Sequence, residues 1–194
     1  MSATQYYCAA SLDGYIAEAD DGLDWLLGYE GSFEGEDAEP GPMADGGSYG
    51  RFYDGVGALV SGSTTYEWVL DHLGEGGAWP YAGKPWWVLS SRDLPVPERG
   101  GADVRVVSGR VAELYGEMAA SAGAANLWIV GGGNVASQFA AAGLLDELLV
   151  TIVPVVLGTG KPLFDERLAG GPLQLLGTSV FETGMVELRY RVAR

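Results

Sequence analysis

The chain has 194 residues, and with 47% hydrophobic and 19% charged residues it can bury an ordinary core rather than remain disordered. Its formal net charge of −15 argues against nucleic acid and anionic membranes as partners. Cys8 and His72 are the sole residues of their types, which excludes an internal disulfide and leaves little for a Cys/His metal site.

In chain order, "TQYYCAAS" (4–11) predicts a first strand. Nothing before it has the basic start and long apolar run of a signal peptide, so a cytoplasmic protein is expected. Asp-Gly pairs at 13–14 and 21–22 mark turns. Residues 30–48 are acidic and glycine-rich, suiting either a lid or a solvated insertion. "VGALVSG" (56–62) is a buried strand, and a helix follows from Ser63 with Thr64 and Glu67 at capping-box spacing. "KPWWVLSSR" (84–92) and "ADVRVVSG" (102–109) are further strands; "VAELYGEMAASAG" (111–123) is a helix with Val111, Leu114, Tyr115 and Met118 on one face. "NLWIV" (126–130) ends in three glycines at the start of another helix, running to about Ala142. The run "LLVTIVPVVL" (148–157) is too short to cross a bilayer and is broken by Pro154. "LGTGKPLF" (157–164) lacks P-loop spacing and reads as a turn. "LQLLGTSVF" and "VELRYRV" form a terminal antiparallel hairpin around "ETGM". The pattern predicts a single α/β domain over 1–194, with a mostly parallel sheet and antiparallel edge strands.

Three strands deliver small polar residues at their carboxyl ends: "ALVSGSTT", "WVLSSR" and "WIVGGGN". That end of an open α/β sheet is where ligands sit. Glycines let backbone amides approach a phosphate, and a helix N-terminus adds its dipole. Ser63, Thr64, Thr65, Ser90 and Ser91 can donate to phosphate oxygens, and Arg92 adds a charge. Each feature also has a structural explanation, the glycines as strand punctuation and the serines as helix caps.

"AASLDGYIA", "VSGSTTYEWV", "VLSSR", "LWIVGGGNVASQF" and "DELLVTIVPVVLGTGKPLF" occur in the order and spacing of the dihydrofolate-reductase-like superfamily. The chain most resembles the branch containing the reductase domain of the bifunctional riboflavin-biosynthesis deaminase–reductase. The resemblance implies about eight strands flanked by helices, with NADPH bound across their carboxyl ends. It assigns the phosphate-binding turn to Gly62, Ser63, Thr64 and Thr65, the adenosine side to Ser90, Ser91 and Arg92, and the pyrophosphate turn to Gly131, Gly132, Gly133, Asn134 and Val135. Ala9, Ala10 and Ile16 fall beside the nicotinamide, and Thr151 faces the substrate. Ser63 stands where family members commonly carry an Arg for the 2′-phosphate. Arg92 or Arg110 can replace that charge, which favours NADPH and leaves NADH open. No carboxylate falls at 46–49, where folate-reducing members hold the pterin, so dihydrofolate is a poor substrate candidate.

Hydride transfer requires positioning and a proton. Asp24 beside Trp25 is a candidate proton donor or a turn residue; Trp25, Tyr49 and Phe52 are candidate substrate contacts, with core packing an equal reading for the last two. An NAD(P)H-dependent, metal-free reductase of a small heterocyclic or carbonyl-type compound, pterin-like or aminopyrimidine-like, is expected. The alternative is a non-catalytic nucleotide-binding or interaction protein retaining the fold. A homodimer is expected because related reductases pair through their C-terminal strands.

Overall fold

The computed structural model describes residues 2–29, 48–73, 78–98 and 100–193. The segment read as a candidate lid therefore lies outside the described residues, except for residue 48. In chain order the elements are β1 (Thr4–Ser11), β2 (Tyr15–Ala17), α1 (Asp24–Leu27), α2 (Ser48–Asp54), β3 (Val56–Gly62), α3 (Ser63–His72), β4 (Pro85–Leu89), β5 (Asp103–Val107), α4 (Val111–Ala122), β6 (Asn126–Val130), α5 (Gly133–Ala141), β7 (Glu147–Val153), β8 (Lys161–Pro162), β9 (Gln174–Val180) and β10 (Val186–Arg191).

Eight strands form one sheet in the order β5-β4-β3-β6-β1-β7-β10-β9. The pairings from β5 through β7 are parallel, and β10 runs antiparallel to both β7 and β9. The parallel strands read as near-continuous apolar runs because helices cover both faces. On one face α4 and α5 bury Val111, Met118, Val135, Ala136 and Phe139 against Tyr6, Ala10, Val60 and Ile129. On the other, Phe52 of α2 and Tyr66 of α3 pack on Tyr7, Leu59, Trp86, Trp128 and Leu149. Trp86 and Trp87 divide between the two cores, as strand alternation requires. Their indole N–H groups donate to Ser61 Oγ at 2.9 Å and Ser121 Oγ at 2.8 Å, so each buried donor has its acceptor.

Two details differ from the sequence reading. "LGTGKPLF" is more than a turn: Lys161 and Pro162 form a short antiparallel ladder with β2. The capping box does not form. The N-cap of α3 is Gly62, in extended conformation and with no side-chain cap bond. Glu67 pairs with Arg92 instead. Gly57 shows how closely the layers meet, since a Cβ there would lie 2.1 Å from the Ala122 carbonyl oxygen at the end of α4.

Candidate coenzyme and substrate site

Two helices begin at the carboxyl edge of the sheet on glycine, α3 on Gly62 and α5 on Gly132, and neither has a side-chain cap. Their first-turn amides therefore remain available to an anion. The two turns touch. A Cβ built on Gly131 would lie 3.2 Å from Thr65 Oγ1, and one on Gly62 would lie 3.5 Å from Val135 Cγ2. Gly131 and Gly132 have φ of 56° and 78°, the left-handed region where a side chain is strained. Gly62, Thr65, Gly131, Gly132 and Val135 thus form one cradle from segments far apart in sequence. Ser63 and Thr64 open the first turn of α3.

Beside this cradle Arg92 projects from the end of β4. Its backbone N–H donates to Ser90 Oγ at 3.0 Å, a local turn that sets the direction of the chain. Its guanidinium donates to both oxygens of Glu67, at 3.0 and 2.6 Å, and to Ser63 Oγ at 2.9 Å. Hydrogen bonding to Glu67 pushes the Arg92 pKa above its ordinary value. Ser91 is exposed next to it. Arg110 lies at the end of β5, the outermost strand, and is paired with Glu113.

The candidate substrate side is built by register. Ala9 on β1 is opposite Thr151 on β7, and Thr151 is opposite Glu187 on β10. The three side chains form a transverse row on the face that also carries Tyr7, two residues before Ala9. Ala9 is half-buried, while Thr151 and Glu187 are 3% and 8% exposed. The Tyr7 hydroxyl donates to Glu187 Oε2 at 2.9 Å. Tyr49 of α2 stacks on the Tyr7 ring at 6.2 Å, and burial pushes the Tyr49 hydroxyl well above its ordinary pKa.

Residues 24–29 reach from α3 to the β9–β10 turn. Asp24 and Leu27 face Thr64, Glu67, Trp68 and Asp71 of α3 across a cavity of about 370 Å³. At the other end the Tyr29 hydroxyl donates to the Thr183 carbonyl in the β9–β10 turn at 2.6 Å. Between them Trp25 buries its indole N–H without a hydrogen-bond partner. An unpaired buried donor is costly.

Several sequence-predicted site residues have other surroundings. Asp24 is exposed, in a cavity that neither Thr151 nor Glu187 lines. Phe52 is buried against Tyr7 and Trp128 and behaves as core. Ala10 is fully buried on the opposite face of β1 from Ala9. Ile16 packs at the edge of that same core. Gly133 is glycine for packing, since a Cβ there would meet the Pro162 carbonyl oxygen at 2.4 Å. The Asn134 side chain donates to Asp165 at 3.0 Å and accepts from Gln138. Cys8 has its thiol pushed up to about 12 by burial and stays protonated at neutral pH. Sequence reasoning did not single out Glu187, and it read Glu67 only as half of a capping box. Glu187 had one signal, namely that a strand antiparallel to β7 begins where β7 ends, which puts its early residues at the ligand edge.

Residues 83–186 match the family described as the RibD C-terminal domain. YwjB of Bacillus subtilis (strain 168), an uncharacterized protein, is 33% identical over 191 residues, with 96% of each chain covered. The solved structure of a protein assigned provisionally to riboflavin biosynthesis in Shewanella sp. PV-4 is 29% identical, with a TM-score of 0.77 over 99% of both chains. Dihydrofolate reductase from Enterococcus faecalis, solved with NADP(H) and RAB-propyl, shares the fold at 17% identity, with a TM-score of 0.58 over 97% of this chain and 95% of that one. The fold is dihydrofolate-reductase-like, and the chain belongs to the RibD C-terminal domain family.

Proposed function

We propose that the chain is a reductase that binds a reduced nicotinamide dinucleotide across the carboxyl edge of its sheet and reduces a small heterocyclic or carbonyl-type compound. The observation that carries this reading is the pair of glycine-started, uncapped helices meeting at Gly131 and Thr65. Gly62, Ser63, Thr64, Thr65, Gly131, Gly132 and Val135 would hold the diphosphate through amides and hydroxyls. When bound, the coenzyme supplies a hydride to an electrophilic carbon of the substrate. Ala9 leaves room for a flat ring at the end of β1, and the segment 24–29 excludes water above it. Glu187 meets the substrate from β10, with Tyr7 and Thr151 fixing its position. One of its oxygens accepts a ring N–H, and the proton that balances the hydride reaches the substrate from solvent by way of its carboxyl group. This gives Glu187 the donor role that the sequence suggested for Asp24. A pterin-like or aminopyrimidine-like compound has the N–H groups such an acid would bind.

The test is a titration with NADPH and, separately, NADH, following tryptophan fluorescence at fixed ionic strength. Micromolar binding of either one is expected. If neither binds below about 1 mM, roughly −4 kcal/mol of affinity, the reductase reading fails. Binding without turnover on a panel of pterins, aminopyrimidines and carbonyl compounds would favour the non-catalytic alternative.

Homodimerisation through the C-terminal strands belongs to the same proposal. Strand β9 is a sheet edge exposing Leu175 at 52% and Val180 at 78%. Such apolar exposure on an edge suits a partner surface. Light scattering is expected to give a dimer for the wild type and a monomer for Val180→Glu. A monomeric wild type would refute it. No helix among the described residues is long and apolar enough to cross a membrane.

A further inference from the structure

Which dinucleotide the cleft takes can be argued from the sheet order, granted the coenzyme reading above. The glycine cradle joins the ends of β3 and β6, and the row that meets the substrate begins on β1, beyond β6. A dinucleotide with its diphosphate in that cradle and its reactive ring over β1 must extend its other riboside over β3 and β4. Ser63, Glu67 and Arg92 stand there. Both terminal nitrogens of Arg92 are engaged by Glu67, and one is shared with Ser63. The three side chains together are neutral, and the cavity beyond Glu67 is walled by Asp20, Asp21, Asp24 and Asp71. Lys161 is paired with Asp21 of that wall at 3.5 Å.

The Arg92–Glu67 pair is exposed and opens at little cost. What decides the outcome is the group left behind when it opens. A phosphate monoester, carrying nearly two negative charges, would draw Arg92 off and leave a bare carboxylate beside it. A ribose diol instead brings hydroxyl donors that Glu67 accepts, with Arg92 and Ser63 still in place. We propose that Glu67 selects the diol, so that this chain binds NADH at least as tightly as NADPH.

The experiment measures dissociation constants of NADH and NADPH by fluorescence titration for the wild type and Glu67→Gln at fixed ionic strength. Far-ultraviolet circular dichroism serves as the folding control. The wild type is expected to give an NADH constant equal to or below that of NADPH. In E67Q, NADPH is expected to tighten about tenfold relative to NADH, as removal of one facing charge allows. A wild type that binds NADPH more tightly than NADH overturns the proposal, as does an E67Q ratio that does not move. Binding of neither dinucleotide overturns it together with the reductase reading, whereas tight binding of NADPH with weaker binding of NADH overturns the proposal alone.

Discussion

Glu187→Gln is expected to fold with a midpoint within a few degrees of the wild type and to turn over about 100-fold or more slowly, the range in which a positioned acid acts. Gln is the informative substitution because its amide oxygen can still accept the Tyr7 hydroxyl that Glu187 accepts at 2.9 Å. Glu187→Ala would remove this acceptor and would confound stability with chemistry. The assay follows coenzyme oxidation on whichever pterin or aminopyrimidine the panel yields. Its decisive readout is the pH dependence of kcat. If Glu187 delivers the proton, the profile of the wild type flattens in E187Q. If Glu187 only braces β10 against β1, E187Q keeps both the profile and most of the rate. Tyr7→Phe should fall between the wild type and E187Q, because it removes a partner of the acid rather than the acid itself.

Much of the fold was legible because parallel strands covered on both faces write themselves as apolar runs with glycine or serine at the end. Strands β1 and β3 and the start of α3 fall where those runs begin and stop. What was not legible shares one cause. Alternation along "VELRYRV" separates the faces of a strand but does not say what covers each face. Glu187 stands on the opposite side from Val186, Leu188 and Tyr190, and it is buried, under Tyr7 and beside Thr151. Glu67 was misread for a related reason. Its spacing from Thr64 fits a local cap, but Arg92, 25 residues away, brings a guanidinium fork that outcompetes a backbone amide. Gly133 stood in an undivided run of three glycines, and only the backbone of β8 separates its role from that of Gly131.

Gly131→Val is expected to weaken dinucleotide binding at least 100-fold, about 2.7 kcal/mol, while costing the fold only about 1–2 kcal/mol for a left-handed backbone position. The added side chain would grow from a Cβ 3.2 Å from Thr65 Oγ1, into the gap where the two helix starts meet. It would therefore hold a diphosphate away from both sets of amides. A matched control lies at the other end of α5. Gly143 has φ 67°, close to the 56° of Gly131, and a Cβ there would meet nothing within 4 Å. Gly143→Val carries the same backbone penalty without touching the cradle, so its denaturation midpoint should fall similarly while its dinucleotide affinity stays at the wild-type value. Equal loss of affinity in both variants would mean that binding follows general stability. Full retention in G131V would mean that no anion approaches this turn, and the glycines would then serve only to let β6 pass closely into α5.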